Sequence, residues 1–275
     1  MTEFNYNGKN SLANFGIIAK SVKRPLLPTL KKKQLVIPDR HGSYDFGDNT
    51  FDNRVISVLL QFIGKNINDL RLQARNIAAW LSGGYTPLTF DDEPDKYYLA
   101  RVYDGIDLNS FALAGEATVT FECMPFALYQ VSTGEDVLLD SDLPLDSDIL
   151  LNTVDAYTIA VNSNTSFVID YWGTQEVGLG SPDGSKFDII ITGNFTTLSM
   201  TLNGKTINYV TPISGQTLII NNVDATVKIG ATNMLSNCTG DLTDFLKLLP
   251  GLNTATISGT GLNCSVLFDF RPQYL

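Results

Sequence analysis

Thr197-Leu198-Ser199-Met200-Thr201-Leu202-Asn203-Gly204-Lys205-Thr206-Ile207-Asn208-Tyr209-Val210 decides how the second half of this 275-residue chain folds. Two β-rich runs flank Asn203-Gly204, and Asn-Gly between such runs is the strongest short-range hairpin signal, because both turn residues must adopt positive φ. The surrounding sequence repeats the pattern. Candidate strands are Tyr157–Asn162, Ser166–Trp172, Phe187–Thr192, Thr217–Asn221, Ala225–Ile229, Thr254–Ser258 and Cys264–Phe270, with Pro182-Asp183-Gly184 as a further turn. No long helical period interrupts them. Short strands at this spacing predict an antiparallel β-sandwich.

Working towards the N-terminus, Glu135–Ser147 is rich in Asp, contains Pro144 and reads as a linker, dividing the chain into residues 1–133 and 134–275. Charge divides in the same place. Residues 1–133 hold 14 Lys/Arg and 14 Asp/Glu, whereas residues 134–275 hold 5 and 15, so the whole net charge of −10 lies in the second part. An acidic domain repels phosphate backbones, which argues against specific nucleic-acid binding.

In the first part, Phe4–Lys9 reads as an edge strand closing in Asn7-Gly8, and Val55–Ile63 as a buried strand. Strands are also expected at Thr86–Phe90, Tyr97–Tyr103 and Ala117–Cys123. One helix is expected over Asp69–Ser82, with Asn68 as N-cap, Gly83-Gly84 as stop, and Leu70, Ala74, Ile77, Ala78 and Leu81 as its apolar stripe. Lys20–Gln34 differs from all of these. Pro25 and Pro28 frame a short apolar pair, Lys31, Lys32 and Lys33 follow, and the segment predicts an exposed extended arm or hairpin. The fold class is therefore mainly β with one helix: an N-terminal β-sandwich bearing a helix and an arm, then a C-terminal antiparallel β-sandwich.

Catalytic chemistry finds little to work with. His41 is the only histidine and no GxSxG, HExxH or paired CxxC accompanies it. Asp91, Asp92, Glu93 and Asp95 are the densest acidic cluster of the first part, and two carboxylates suffice for a wall hydrolase; beside Pro94 they read rather as a solvated turn. Asp140, Asp142, Asp146 and Asp148 alternate as calcium ligands can, but Pro144 interrupts them and the glycine and final Glu of an EF-hand loop are missing. Cys123, Cys238 and Cys264 form no disulfide framework. No cofactor, no metal and no enzyme is expected. Trp172 and Tyr209, with Tyr171, could stack on sugar rings, although core packing is the default for such residues in a sandwich. No apolar run approaches the ~20 residues of a membrane span, so the expectation is a protein made in the cytosol and released, for example, by lysis.

Three segments taken in order resemble the siphophage distal tail protein family. They are Arg24-Pro25 with Val36–Asp45 and Arg54–Val58; the helix end Ala79-Trp80-Leu81 followed by Pro94–Arg101; and Phe121-Glu122-Cys123-Met124-Pro125. The Pro38-Asp39-Arg40-His41-Gly42 run looks like the family's turn, of which Arg40 and Gly42 are the matching residues, while Asp39 stands where the family often has glycine. Leu249-Pro250-Gly251-Leu252-Asn253 resembles the proline-glycine-x-asparagine segment of the galectin-like domain these proteins carry. The resemblance implies a virion structural protein of a long-tailed phage. Its first domains would form a hexameric ring under the tail tube, its galectin-like second domains would project outward, and its neighbours would be tail tube, tape-measure and tail-tip hub or receptor-binding proteins. A carbohydrate-binding module for the host wall is the alternative reading of residues 134–275.

Overall fold

The computed structural model describes residues 3–47, 50–111, 113–137 and 152–275. The chain divides into two compact units, residues 1–127 and 128–274. The division falls six residues before the expected boundary, because the segment after it is bonded into the second unit: Tyr129 N donates to Pro272 O, and Thr133 Oγ1 donates to Phe268 O and accepts from Phe270 N. Residues 138–147 of the expected linker, with the alternating aspartates, lie outside the described residues.

The first unit is built from β1 (Phe4–Tyr6), β2 (Lys9–Asn10), α1 (Ser11–Phe15), β3 (Ile18–Lys23), β4 (Gln34–Leu35), β5 (Tyr44–Asp45), β6 (Arg54–Ile63), α2 (Ile67–Leu81), β7 (Thr86–Phe90), β8 (Lys96–Val102), β9 (Leu108–Phe111) and β10 (Ala114–Cys123). Hydrogen bonds join them in the order β2-β1-β7-β8-β10-β6-β3, with β9 on β10 and β4-β5 as a separate ribbon. All pairs are antiparallel. β1 turns into β2 at Asn7-Gly8, whose φ values of 48° and 70° fit the expected Asn-Gly turn.

β6 departs from the expectation of a wholly buried strand. Arg54, Ile56, Val58, Leu60 and Phe62 are buried, while Val55 and Ile63 at its two ends face outward, so only one of its faces is core. α2 starts two residues before the predicted segment. Asn66, not Asn68, caps it: Asn66 Oδ1 accepts from Asp69 N at 2.9 Å and Asp69 Oδ2 accepts from Lys65 N at 2.8 Å, satisfying two otherwise unpaired amides reciprocally. Trp80, absent from the predicted stripe, is the centre of its packing. It stacks on Phe4 and Phe15, meets Tyr6 edge-on, and donates Nε1–H to Tyr6 O at 2.8 Å. The short helix α1 was not expected; Asn10 Oδ1 accepts from Leu12 N and Ala13 N, and Gly16 closes it at φ 62°.

After β11 (Ala127–Tyr129), whose first residue is the last of the first unit, the second unit contains α3 (Thr153–Ala156), β12 (Thr158–Val161), β13 (Thr165–Tyr171), β14 (Phe187–Phe195), β15 (Thr197–Leu202), β16 (Lys205–Tyr209), β17 (Ile213–Asn221), β18 (Thr226–Ile229), β19 (Thr232–Asn233), β20 (Cys238–Gly240), β21 (Gly251–Thr260), β22 (Asn263–Phe270) and β23 (Gln273–Tyr274). Two antiparallel sheets result, ordered β12-β22-β14-β17-β18-β19 and β13-β21-β15-β16-β20. One core joins them, to which the first sheet contributes Ile189, Ile191, Val266 and Phe268 and the second Leu198, Met200, Ile207 and Ile257. The expected Asn-Gly turn is in place: Leu202 pairs with Lys205 across Asn203 and Gly204, at φ 51° and 83°. Cys123, Cys238 and Cys264 are all buried and unpaired.

Candidate interaction site: a hairpin arm with a clamped root

Between β3 and β6 the chain leaves the sheet as a hairpin. Lys31 N donates to Thr50 O, Asp52 N to Thr29 O and Phe46 N to Lys33 O, and β4 pairs with β5 through Gln34 opposite Asp45 and Leu35 opposite Tyr44. The expected arm is thus one side of a ribbon whose return strand, up to Asn53, the sequence pattern did not reveal. Pro25 and Lys31, Lys32 and Lys33 are exposed, while Pro28 is buried.

The tip is a turn from Ile37 to Arg40, closed by Arg40 N donating to Ile37 O. Pro38 occupies its second position and Asp39 its third, at φ 61°. That is the arrangement of a type II turn, with Pro pre-setting φ and the next residue in the left-handed region. Asp39 therefore adopts the conformation that a glycine would take at lower cost. Gly42 follows at φ 79°, and the Arg40 guanidinium lies over the Tyr44 ring at 5.7 Å.

What the arm carries is apolar. Leu26 is 93% exposed, Val36 76% and Phe46 59%, with Leu27, Leu35 and Tyr44 also in solvent. Scattered exposed apolar side chains are ordinary; eight along one two-stranded projection, Leu30 and Ile37 included, form a surface that gains from being covered. Fully burying a side chain such as Leu, Val or Phe contributes about 1.5–3 kcal/mol.

The arm's root, by contrast, is fixed. On the outgoing side Arg24 pairs with Asp92 and with Glu93 and lies over the Phe90 ring at 4.7 Å. Arg54, only 3% exposed, donates Nη1–H to Pro25 O at 2.9 Å and Nε–H to Pro125 O at 3.2 Å, with its guanidinium over Tyr98 at 5.5 Å. On the returning side Asn53 Nδ2 donates to Glu122 Oε1 at 2.9 Å and to Tyr85 Oη at 3.3 Å. Glu122 in turn accepts from Arg101, whose guanidinium sits within 4.6 and 4.8 Å of the Tyr85 and Tyr103 rings. The Asn53 hydrogen bond, then the one from Arg101, hold the Glu122 carboxyl below its ordinary pKa. Burial pushes the Tyr98 phenol up.

The acidic cluster Asp91–Asp95 therefore has a structural use. Asp92 and Glu93 hold Arg24, and Asp95 holds Lys96 at 2.7 Å. His41 lies exposed in the bend at the arm's tip. Of the sugar-contact candidates, Tyr209 is 1% exposed with its ring edge-on to Phe195, which leaves no face for a pyranose and corrects the expectation for that residue. Trp172 is half-buried against Phe270, Tyr157 and Tyr129. The Leu249–Asn253 segment has a mechanical role: Asn253, fully buried, accepts from Leu249 N and from Asn203 Nδ2 and donates to Leu249 O and Gly251 O, pinning the loop before β21.

Comparison with known proteins places this geometry. Residues 13–123 match the family model of the phage tail protein RIFT-related domain. The solved structure of the SPP1 Dit protein, a paradigm of the hub adsorption apparatus in Gram-positive-infecting phages, superposes with a TM-score of 0.71 at 16% identity, covering 100% of both chains. A chain of the phage p2 baseplate in its activated conformation gives a TM-score of 0.45 at 11% identity over 98% of each chain. No curated protein matches in sequence. Residues 13–123, which include the arm and nearly all of its root, thus match the phage tail protein RIFT-related domain, and the chain that carries them has the fold of the SPP1 Dit protein.

Proposed function

We propose that this chain is the distal tail protein of a long-tailed phage, a non-catalytic virion component at the tail tip whose copies close into a hexameric ring between the tail tube and the adsorption apparatus. The observation that carries the reading is the arm: a ribbon with eight exposed apolar side chains, held at its root by Arg24, Arg54 and the Asn53–Glu122–Arg101 group. A projection of this kind is costly in water and useful only against another surface. A rigid root limits the ordering entropy lost when that surface arrives. The partners are further copies of the chain, then the tail tube, tape-measure and hub or receptor-binding proteins, as the resemblance implies.

Negative-stain imaging of the purified full-length protein tests this directly. Annular particles with six-fold symmetry are the expected result; a field of single particles of about one chain, 30.1 kDa each, at every concentration would contradict it.

A further inference from the structure

A closed ring needs two different surfaces on each copy, one that reaches and one that receives, because a head-to-tail contact joins unlike patches. The arm is the first. The second is found on the same unit along the side of β10. There β8 ends at Val102, opposite Phe121, and β9 begins at Leu108, opposite Ala117, so the five residues between them bulge from what is otherwise one interrupted strand. Among the described residues β9 pairs with β10 alone, which leaves its other edge open. Open edges of this kind are templates for pairing with a strand from another chain.

The side chains at this edge are uncovered too. Tyr103 is 73% exposed, Leu108 and the nearby turn residue Leu113 are exposed, and Asp104 and Asp107 are exposed with no ion pair among the described residues. On the arm, Lys31 and Lys32 are likewise exposed and without an ion pair among the described residues. Two unpaired cations beside exposed apolar groups on one surface thus face the mirror requirement on the other: two unpaired anions beside exposed apolar groups and an open strand edge.

Resting on the ring reading above, we propose that the bulge and strand Tyr103–Phe111 are the acceptor for the arm of a second copy of this chain, with Lys31 and Lys32 meeting Asp104 and Asp107 while the arm's apolar side chains cover Tyr103 and Leu108. Charge fixes the register of the contact and apolar burial supplies its strength. The sheet that positions the acceptor is the one that roots the arm, so both surfaces are held on one rigid frame in each copy.

A charge-swap experiment on the full chain decides it, read by sedimentation velocity across a concentration series at low salt. Lys31→Glu with Lys32→Glu, and separately Asp104→Lys with Asp107→Lys, should each raise the concentration at which the assembly dissociates by about ten-fold or more. The four substitutions together should restore it to within about three-fold of the unchanged protein. All four substituted positions are exposed, and unchanged thermal melting confirms that each variant folds. If the acceptor reversal has no effect while the arm reversal weakens assembly, the acceptor is elsewhere and the ring reading survives. If both weaken assembly but the combination does not restore it, the two surfaces do not meet and the proposal fails. If the unchanged protein is itself monomeric throughout, the ring reading fails and takes this proposal with it.

Discussion

The arm and the second unit's sandwich use apolar residues in opposite ways. In the sandwich, Phe187, Ile189, Leu198, Met200, Val266 and Phe268 are closed off between two sheets, and their burial stabilises one chain. In the arm, Leu26, Val36, Tyr44 and Phe46 are presented to solvent on a ribbon whose own ladder is short. Their free energy is spent only when a second body covers them. Equal hydrophobicity thus serves folding in one region and assembly in the other, and the difference lies in what stands opposite each side chain.

Perturbations ranked by their effect on folding should expose that contrast. Phe268→Ala empties a fully buried site and should cost about 3–5 kcal/mol of stability in urea unfolding, lowering the midpoint while particle mass at low denaturant is unchanged. Arg54→Met should cost about 2–3 kcal/mol, since Pro25 O and Pro125 O each lose a donor from a buried charged group, and unlike the core change it should also weaken assembly by loosening the root.

Asp188 offers a smaller and pH-dependent probe. It stands directly opposite Asp269 on the neighbouring strand, its Oδ1 is buried with no hydrogen-bond partner among the described residues, and Lys186 bonds to Asp269 at 2.7 Å. Burial first, then the Asp269 charge, push its pKa up to about 6. A carboxyl with a raised folded-state pKa binds a proton in the folded chain that the unfolded chain releases, so its penalty is absent below about pH 4, grows as pH rises from about 4 to about 6, and is complete above that. Asp188→Asn should therefore stabilise the protein at pH 7.5 by roughly 1–2 kcal/mol once solvent screening is allowed for, and by about half as much at pH 5, as thermal melts at the two values would show.

Leu26→Ser combined with Val36→Ser should have the least effect on folding, within about 0.5 kcal/mol because both sites are exposed, yet weaken assembly by ten-fold or more in sedimentation, given about 1.5 kcal/mol or more for each buried side chain.

The two regions also differ in how much of them the sequence discloses. The sandwich was readable because its signals are local: Asn203-Gly204 dictates a turn within two residues, and each strand is a short run bounded by turn formers. The outgoing half of the arm was visible for the same reason, through Pro25, Pro28 and the lysines. Its return strand was not, since Tyr44, Asp45 and Phe51 gain their β pairing only from Leu35, Gln34 and Leu30 across the ribbon. The root was least legible. Arg24 and its carboxylates are 68 and 69 positions apart, and Arg54 reads as a polar boundary residue until the fold encloses it. Tyr209 failed in the other direction, because an aromatic residue gives no sign in sequence of which face of a strand it will occupy.

Sedimentation of the intact chain beside one in which residues 26–51 are replaced by a short Gly-Ser turn tests the central claim most directly. The intact protein should travel as a closed multimer and the shortened one as a monomer with the same melting temperature. A shortened chain that sediments as the intact one does would show that the arm is not what holds the copies together.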